Sequence, residues 1–275
     1  MRLCHAGRVT DVLAGWQSEP FTAAGITHPV YRKGSGPGVV LLPELPGMTP
    51  EVMALAERLV ASGFTVAVPS LVGTPGRATS GAYLAAAVPK VCVSAEFKAF
   101  AVRTSRPVAE YVRALARSLH DEVGGPGVGV IGMCFSGGFA LAAAVEPAVL
   151  APVASQPSLP FPLGRARRAD VGMSDDDRAV LARRARDEGL CALGLRFTAD
   201  RAVPAERFAA MAETLGAGWR VVEIDSSPGN SHGIGKRAHS VLSSDYVDEP
   251  GHPTVAAYET VVAFLRERLA VAAPS

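Results

Sequence analysis

Val128-Gly129-Val130-Ile131-Gly132-Met133-Cys134-Phe135-Ser136-Gly137-Gly138-Phe139-Ala140-Leu141-Ala142-Ala143-Ala144-Val145 lies within a longer stretch, from Gly124 to Val145, that carries no formal charge. Its length and apolar character match a membrane span. Pro126, the repeated glycines and the centre at Cys134-Phe135-Ser136 break any single helix there. The run divides instead into a buried strand at 128–131 and a helix that includes 139–145. A strand turning directly into a helix is the building unit of a layered α/β domain, so matching units are expected on either side.

Such units recur. Upstream, Val39-Val40-Leu41-Leu42 is an apolar run of strand length, closed by Pro43, Pro46 and Gly47. Thr49-Pro50-Glu51 then opens a helix with Val52, Leu55, Leu59 and Val60 in helical spacing, Gly63 ends it, and 64–69 forms a second strand. Residues 73–92, rich in Gly, Thr, Ser and Ala, read as a loop or excursion before a helix carrying Val108, Tyr111, Val112 and Leu115. Downstream, strands are predicted at 149–153, 191–197 and 219–224, with helices near 174–187, 204–215 and 253–270. Ser174 or Asp175 caps the first of these helices, whose charges mark a solvated face. The alternation predicts one α/β domain over residues 1–275: a doubly wound, mostly parallel sheet with helices on both faces. In such a sheet, sites form outside the carboxyl ends of the strands.

Composition narrows the functional classes. The 275 residues are 48% hydrophobic and 19% charged, and 27 Lys+Arg against 26 Asp+Glu give a net charge of +1. The basic clusters, at 165–168 and 183–186, are short, so neither a nucleic-acid nor a membrane partner is expected. Cys4, Cys92, Cys134 and Cys191 are widely separated, and only Cys4-His5 are adjacent potential ligands, so no metal site is expected. The first residues contain no apolar signal core, which predicts a cytoplasmic protein with reduced thiols.

Gly132 and Ser136 stand two residues before and two after Cys134, where a sharp strand-to-helix turn has space only for small side chains. That pattern marks Cys134 as a candidate nucleophile, with the following helix N-terminus favouring an anion. The alternative is a buried, inert thiol. A cysteine nucleophile needs a base and a group that orients it. Asp200 follows the strand at 193–197 and is the candidate acid, or else a turn aspartate. His239, His232 and His252 all lie between the last strand and the last helix. His239 is the first choice as base, His232 sits in a glycine-flanked loop, and His252 abuts the helix start.

Leu41-Leu42-Pro43-Glu44-Leu45-Pro46-Gly47, the turn from Gly132 to Gly138, and Asp200 taken with Ala238-His239-Ser240 together resemble the dienelactone hydrolase family. This family is a cysteine-nucleophile branch of the α/β-hydrolase fold, and the similarity runs from about Gly38 to Leu269. The resemblance implies Cys134 as nucleophile, His239 as base and Asp200 as orienting acid. It implies that Glu44 contacts the resting thiol and that the N–H groups of Leu45 and Phe135 form the oxyanion hole. It further implies hydrolysis of small-molecule esters or lactones through a thiol acyl-enzyme, with no cofactor and no metal.

Three positions depart from the family pattern: Ser136 replaces a glycine, Pro43 precedes Glu44, and Ser243 stands where members acting on carboxylate-bearing lactones can carry arginine. The segment from Pro228 to Gly233 is similar to the base loop of some relatives, which keeps His232 in play. Arg103 and Arg106 are candidates for a substrate-carboxylate clamp. Ser155-Gln156-Pro157-Ser158-Leu159-Pro160 follows a strand and lies at the pocket mouth without an assigned chemistry. Two other readings are a non-catalytic binding protein of the same fold and a redox-sensing thiol protein, with Cys92 or Cys191 as the resolving partner.

Overall fold

A computed structural model of the chain describes residues 12–97, 104, 106–159 and 164–270. Its centre is an eight-stranded sheet in the order β1-β2-β4-β3-β5-β6-β7-β8. The strands are β1 (Gln17–Ala23), β2 (Ile26–Lys33), β3 (Gly38–Leu42), β4 (Thr65–Pro69), β5 (Val128–Met133), β6 (Val149–Ser155), β7 (Ala192–Phe197) and β8 (Trp219–Ile224). From β4 through β8 every pairing is parallel, and β1 and β2 add an antiparallel hairpin at one edge.

Alternation along each strand builds two cores at once. Val40, Leu42, Val128 and Val130 face one cluster, while Val39, Leu41, Ile131 and Met133 face the other. On the first side, α3 (Pro107–Val123) and α4 (Gly137–Ala143) supply Leu115, Leu119 and Leu141. On the second, α1 (Pro50–Ala61) and α8 (Pro253–Arg268) supply Leu55, Leu59, Val261 and Leu265. Because both faces are covered, the central strands are continuous apolar runs, as the sequence of β3 already indicated.

Two regions differ from the sequence expectation. The β1–β2 hairpin departs from that expectation: it lies at the sheet edge, buries only Ile26 and Val30 of its strand residues, and lacks an apolar run. The stretch read as a loop at 73–92 instead contains a helix, α2 (Gly81–Val93). Its Gly- and Thr-rich part ends at Ser80, whose side chain caps the helix through Tyr83 N, and the alanines beyond it have high helix propensity. Further along lie α5 (Arg165–Ala169), α6 (Asp175–Asp187) and α7 (Ala205–Leu215). Ser174 caps α6 by accepting from Asp177 N at 3.1 Å, as expected. Among the described residues no helix is long and apolar enough to cross a membrane.

Helix α6 is anchored by a buried cation. The Arg184 guanidinium, 4% exposed, donates to the carbonyls of Ala144 (2.5 Å), Glu146 (2.9 Å) and Val149 (3.2 Å), joining α6 to the turn between α4 and β6. Removing it leaves buried carbonyls without donors, at about 1–3 kcal/mol each. Arg184→Ala should therefore lower the unfolding free energy by at least about 3 kcal/mol in a denaturant titration, and a loss below about 1 kcal/mol would show that water replaces the guanidinium.

Candidate active site

Cys134 is the first residue after β5 and has φ +53, in the left-handed region that non-glycine residues seldom adopt. A 3-10 turn at Cys134–Ser136 then feeds into α4. Gly132 is required by this geometry, because a Cβ there would sit 2.3 Å from the Ser136 carbonyl oxygen. Ser136, the departure from the family's glycine, is fully buried and ties the turn together. Its Oγ accepts from Met133 N at 2.9 Å and faces the carbonyls of Met133 at 2.8 Å and Leu42 at 3.1 Å. The turn is thereby fastened to the end of β3. Outside it, the Cys134 sulfur lies 3.0 Å from Ser158 Oγ.

Asp200 and His239 come from different loops, after β7 and after β8. His239 Nδ1 lies 2.6 Å from Asp200 Oδ2, and the carboxyl is 7% exposed against 26% for the imidazole. The other carboxyl oxygen, Asp200 Oδ1, accepts from Ala202 N at 2.9 Å, which fixes its plane. Burial opposes a charge on His239, but hydrogen bonding to Asp200 and interaction with the Cys134 sulfur outweigh it, and the imidazole pKa is raised to about 11. The loop carrying His239 is held by Asp245, whose Oδ2 accepts from His239 N at 2.8 Å and Ser240 N at 2.9 Å.

Glu44, at the end of β3, is 4% exposed. Its carboxylate accepts from Ser240 Oγ at 2.8 Å, from Gln156 Nε2 at 3.1 Å and from Ser243 Oγ. Burial pushes its pKa up, opposed by these same hydrogen bonds. The expected contact with the resting thiol is not among the hydrogen bonds of the described residues. The carboxylate instead faces the histidine loop, and Ser243 supplies one of its donors.

Glu44, Leu45, Cys134, Ser158, Asp200, His239 and Ser240 all line one open cavity of about 1050 Å³. Phe135 lies behind the turn, with its ring edge-on to Phe97 and Phe139. One cavity wall is apolar, formed by Leu84 and Val88 of α2, and the rim carries Arg201, Lys236 and Arg237. Arg106 does not serve as a clamp at this cavity. It is 1% exposed and donates to the Gly172 carbonyl, because as the residue opening α3 it is packed beneath the surface. Arg103, Cys4 and His5 lie outside the described residues. His232 is exposed and packs edge-on against His252, with 5.6 Å between centroids, while His252 caps α8. Cys92, Cys134 and Cys191 are free thiols.

Sequence reasoning missed Ser158, Gln156, Asp245 and the three rim cations. The signal for the first two was present, since their segment follows a strand at the sheet's functional end. Asp245 and the rim cations stand in loops with no periodicity to place them.

A mostly parallel sheet with an antiparallel edge hairpin, a strained turn after β5 and a histidine–carboxylate pair from later loops defines the α/β-hydrolase fold. The chain belongs to the dienelactone hydrolase family, whose model matches residues 24–269. No curated protein matches the chain. Among solved structures it is similar to a putative dienelactone hydrolase from Klebsiella pneumoniae subsp. pneumoniae, with TM-score 0.60, 17% identity, and 92% of this chain and 98% of that chain covered. It is likewise similar to a dienelactone hydrolase-like promiscuous phosphotriesterase from metagenomic libraries, with TM-score 0.58, 18% identity and the same coverage. A dienelactone hydrolase from Anabaena variabilis aligns with TM-score 0.56 at 16% identity, covering 92% and 98%. At these identities the structural likeness establishes the fold.

The raised His239 value makes stability depend on pH. The folded-state pKa, about 11, lies above the ordinary 6.5, so the bound proton stabilises the fold fully below about pH 6.5 and progressively less as pH rises through about 11. The stability difference between the natural protein and His239→Gln should therefore shrink steadily from pH 7 to pH 11 in denaturant titrations. A difference independent of pH over that range would mean that His239 holds no extra proton.

Proposed function

We propose that this protein is a carboxylic-ester or lactone hydrolase working through a thiol acyl-enzyme on Cys134. One observation carries the reading: a sulfur on a strained strand-to-helix turn shares its cavity with an imidazole bonded to a buried carboxylate. Cys134 is the nucleophile, His239 the base, and Asp200 the acid that fixes the imidazole. The proton of the thiol rests on His239, so the thiolate attacks the acyl carbonyl. The N–H groups of Leu45 and Phe135 receive the developing oxyanion. His239 then gives its proton to the leaving alcohol oxygen, and a thioester remains on Cys134. Water, deprotonated by His239, attacks that thioester, and collapse releases the acid and restores the thiolate beside the imidazolium.

Glu44 acts in this scheme by anchoring the loop that carries His239, through Ser240 and Ser243. The cavity supports a small substrate with one apolar flank, set against Leu84 and Val88, and an anionic group on the other side. Arg201, Lys236 and Arg237 form no ion pair or side-chain hydrogen bond among the described residues, so their charge is available to such a group.

Turnover of a panel of small aryl esters and lactones, each with and without a carboxylate, tests the reading. Hydrolysis should be lost in Cys134→Ala and fall about 100-fold or more in His239→Ala, the scale of a general base. His232→Ala should retain its turnover number, and the carboxylate-bearing member of each pair should have the higher kcat/KM. Binding without turnover across the panel, or activity surviving in Cys134→Ala, would overturn the proposal.

A further inference from the structure

The segment Ser155-Gln156-Pro157-Ser158 leaves β6 and crosses the front of the Cys134 turn. Gln156 has φ +35, its N–H donates to Leu195 O at 2.7 Å, and its side-chain amide reaches Glu44. The Pro157 carbonyl accepts from Arg207 Nη1 at 2.7 Å. Arg207, 1% exposed, also donates to the carbonyls of Asp170 at 2.6 Å and Ala202 at 3.2 Å, so the strap is bound to the loop that carries Asp200. On the inner side Pro157 packs so close to Gly137 that a Cβ there would come within 2.8 Å of it. Ser158 N then donates to the Cys134 carbonyl at 2.9 Å. The hydroxyl next to the sulfur is therefore held from both sides and does not depend on a mobile loop.

We propose that Ser158 is a further catalytic residue, whose hydroxyl donates to the Cys134 sulfur and stabilises it as a thiolate. The role in turnover rests on the hydrolase reading above; the role in ionising the thiol does not. The geometry is direct: Ser158 Oγ is 3.0 Å from Cys134 Sγ, and Ser158 is only 9% exposed, so little water competes for the contact. A thiolate accepts a hydrogen bond more strongly than a thiol does, so a fixed O–H donor favours the ionised sulfur. His239 holds the released proton, and Ser158 faces the remaining negative charge. No atom is transferred to or from Ser158. When sulfur attacks the acyl carbon, its electron pair enters the new C–S bond and the Ser158 contact weakens. When water expels the sulfur from the tetrahedral adduct, the electron pair returns to sulfur and the contact re-forms. The hydroxyl thus assists departure of sulfur in deacylation more than it assists attack.

The test is the rate of Cys134 alkylation by iodoacetamide as a function of pH, which requires no substrate, followed by kcat and KM on a turned-over aryl ester. Cys4→Ser, Cys92→Ser and Cys191→Ser in the background confine the readout to Cys134. In Ser158→Ala the pH midpoint of alkylation should rise by about one unit, the scale of one hydrogen bond to a charged group. The turnover number should fall more than kcat/KM. Ser158→Thr, which keeps the hydroxyl, should restore both profiles. An unchanged midpoint in folded Ser158→Ala would overturn the proposal, and so would a Ser158→Thr variant shifted as far as Ser158→Ala, since packing would then be the cause. Should Cys134→Ala retain hydrolysis, the hydrolase reading fails while the alkylation profile still decides the role of Ser158.

Discussion

The left-handed backbone at Cys134 is the constraint on which the rest of the site depends. A φ of +53 at a non-glycine residue costs about 1–3 kcal/mol and persists only where the surroundings over-determine it. Here they do. Gly132 leaves space for the Ser136 carbonyl, and the Ser136 hydroxyl bonds within the turn and faces the end of β3. β5 itself is locked between β3 and β6 in the middle of the sheet. The turn cannot relax without disturbing the best-buried strands, so the sulfur stays raised above the sheet, where the loops from β3, β6, β7 and β8 converge.

Those loops are held by buried polar groups rather than by apolar packing alone. Arg207 gathers carbonyls from three separate segments, and burial lowers its pKa to about 10 while the charges of Asp170 and Asp200 act in the opposite sense. Glu44 does the same with opposite sign, collecting donors from the strap after β6 and from the histidine loop. Asp245 closes the histidine loop on itself. Each of these charges is matched by hydrogen bonds, which is the condition for keeping a charged side chain out of water. The consequence for chemistry is preorganisation: the groups around the sulfur are placed before any ligand enters.

The sequence made the parallel core and the turn legible because both obey local rules. Continuous apolar strands, small residues flanking Cys134 and a helix directly after it need no knowledge of tertiary contacts. The β1–β2 hairpin escaped because an exposed edge needs no apolar run, and α2 because Gly, Thr and Ser before Ser80 masked an alanine-rich helix. At the site, His239 was favoured over His232 by its neighbours in sequence, and the structure pairs it with Asp200. Arg106 illustrates the opposite case. A cation read as a substrate clamp is a buried helix-opening residue, an outcome set by its hydrogen bond to the Gly172 carbonyl far along the chain. Ser243 was legible only as a missing arginine, because its role depends on Glu44 arriving from across the sheet.

The account stands on a covalent bond between substrate and Cys134. Rapid mixing with an activated aryl acyl ester, acid quenching and peptide mapping by mass spectrometry reads that bond directly. An acyl group should appear on the peptide containing Cys134 as the phenol is released, then decay at the steady-state turnover rate. Sustained hydrolysis with no acyl adduct on Cys134, or with the adduct on another residue, would contradict it.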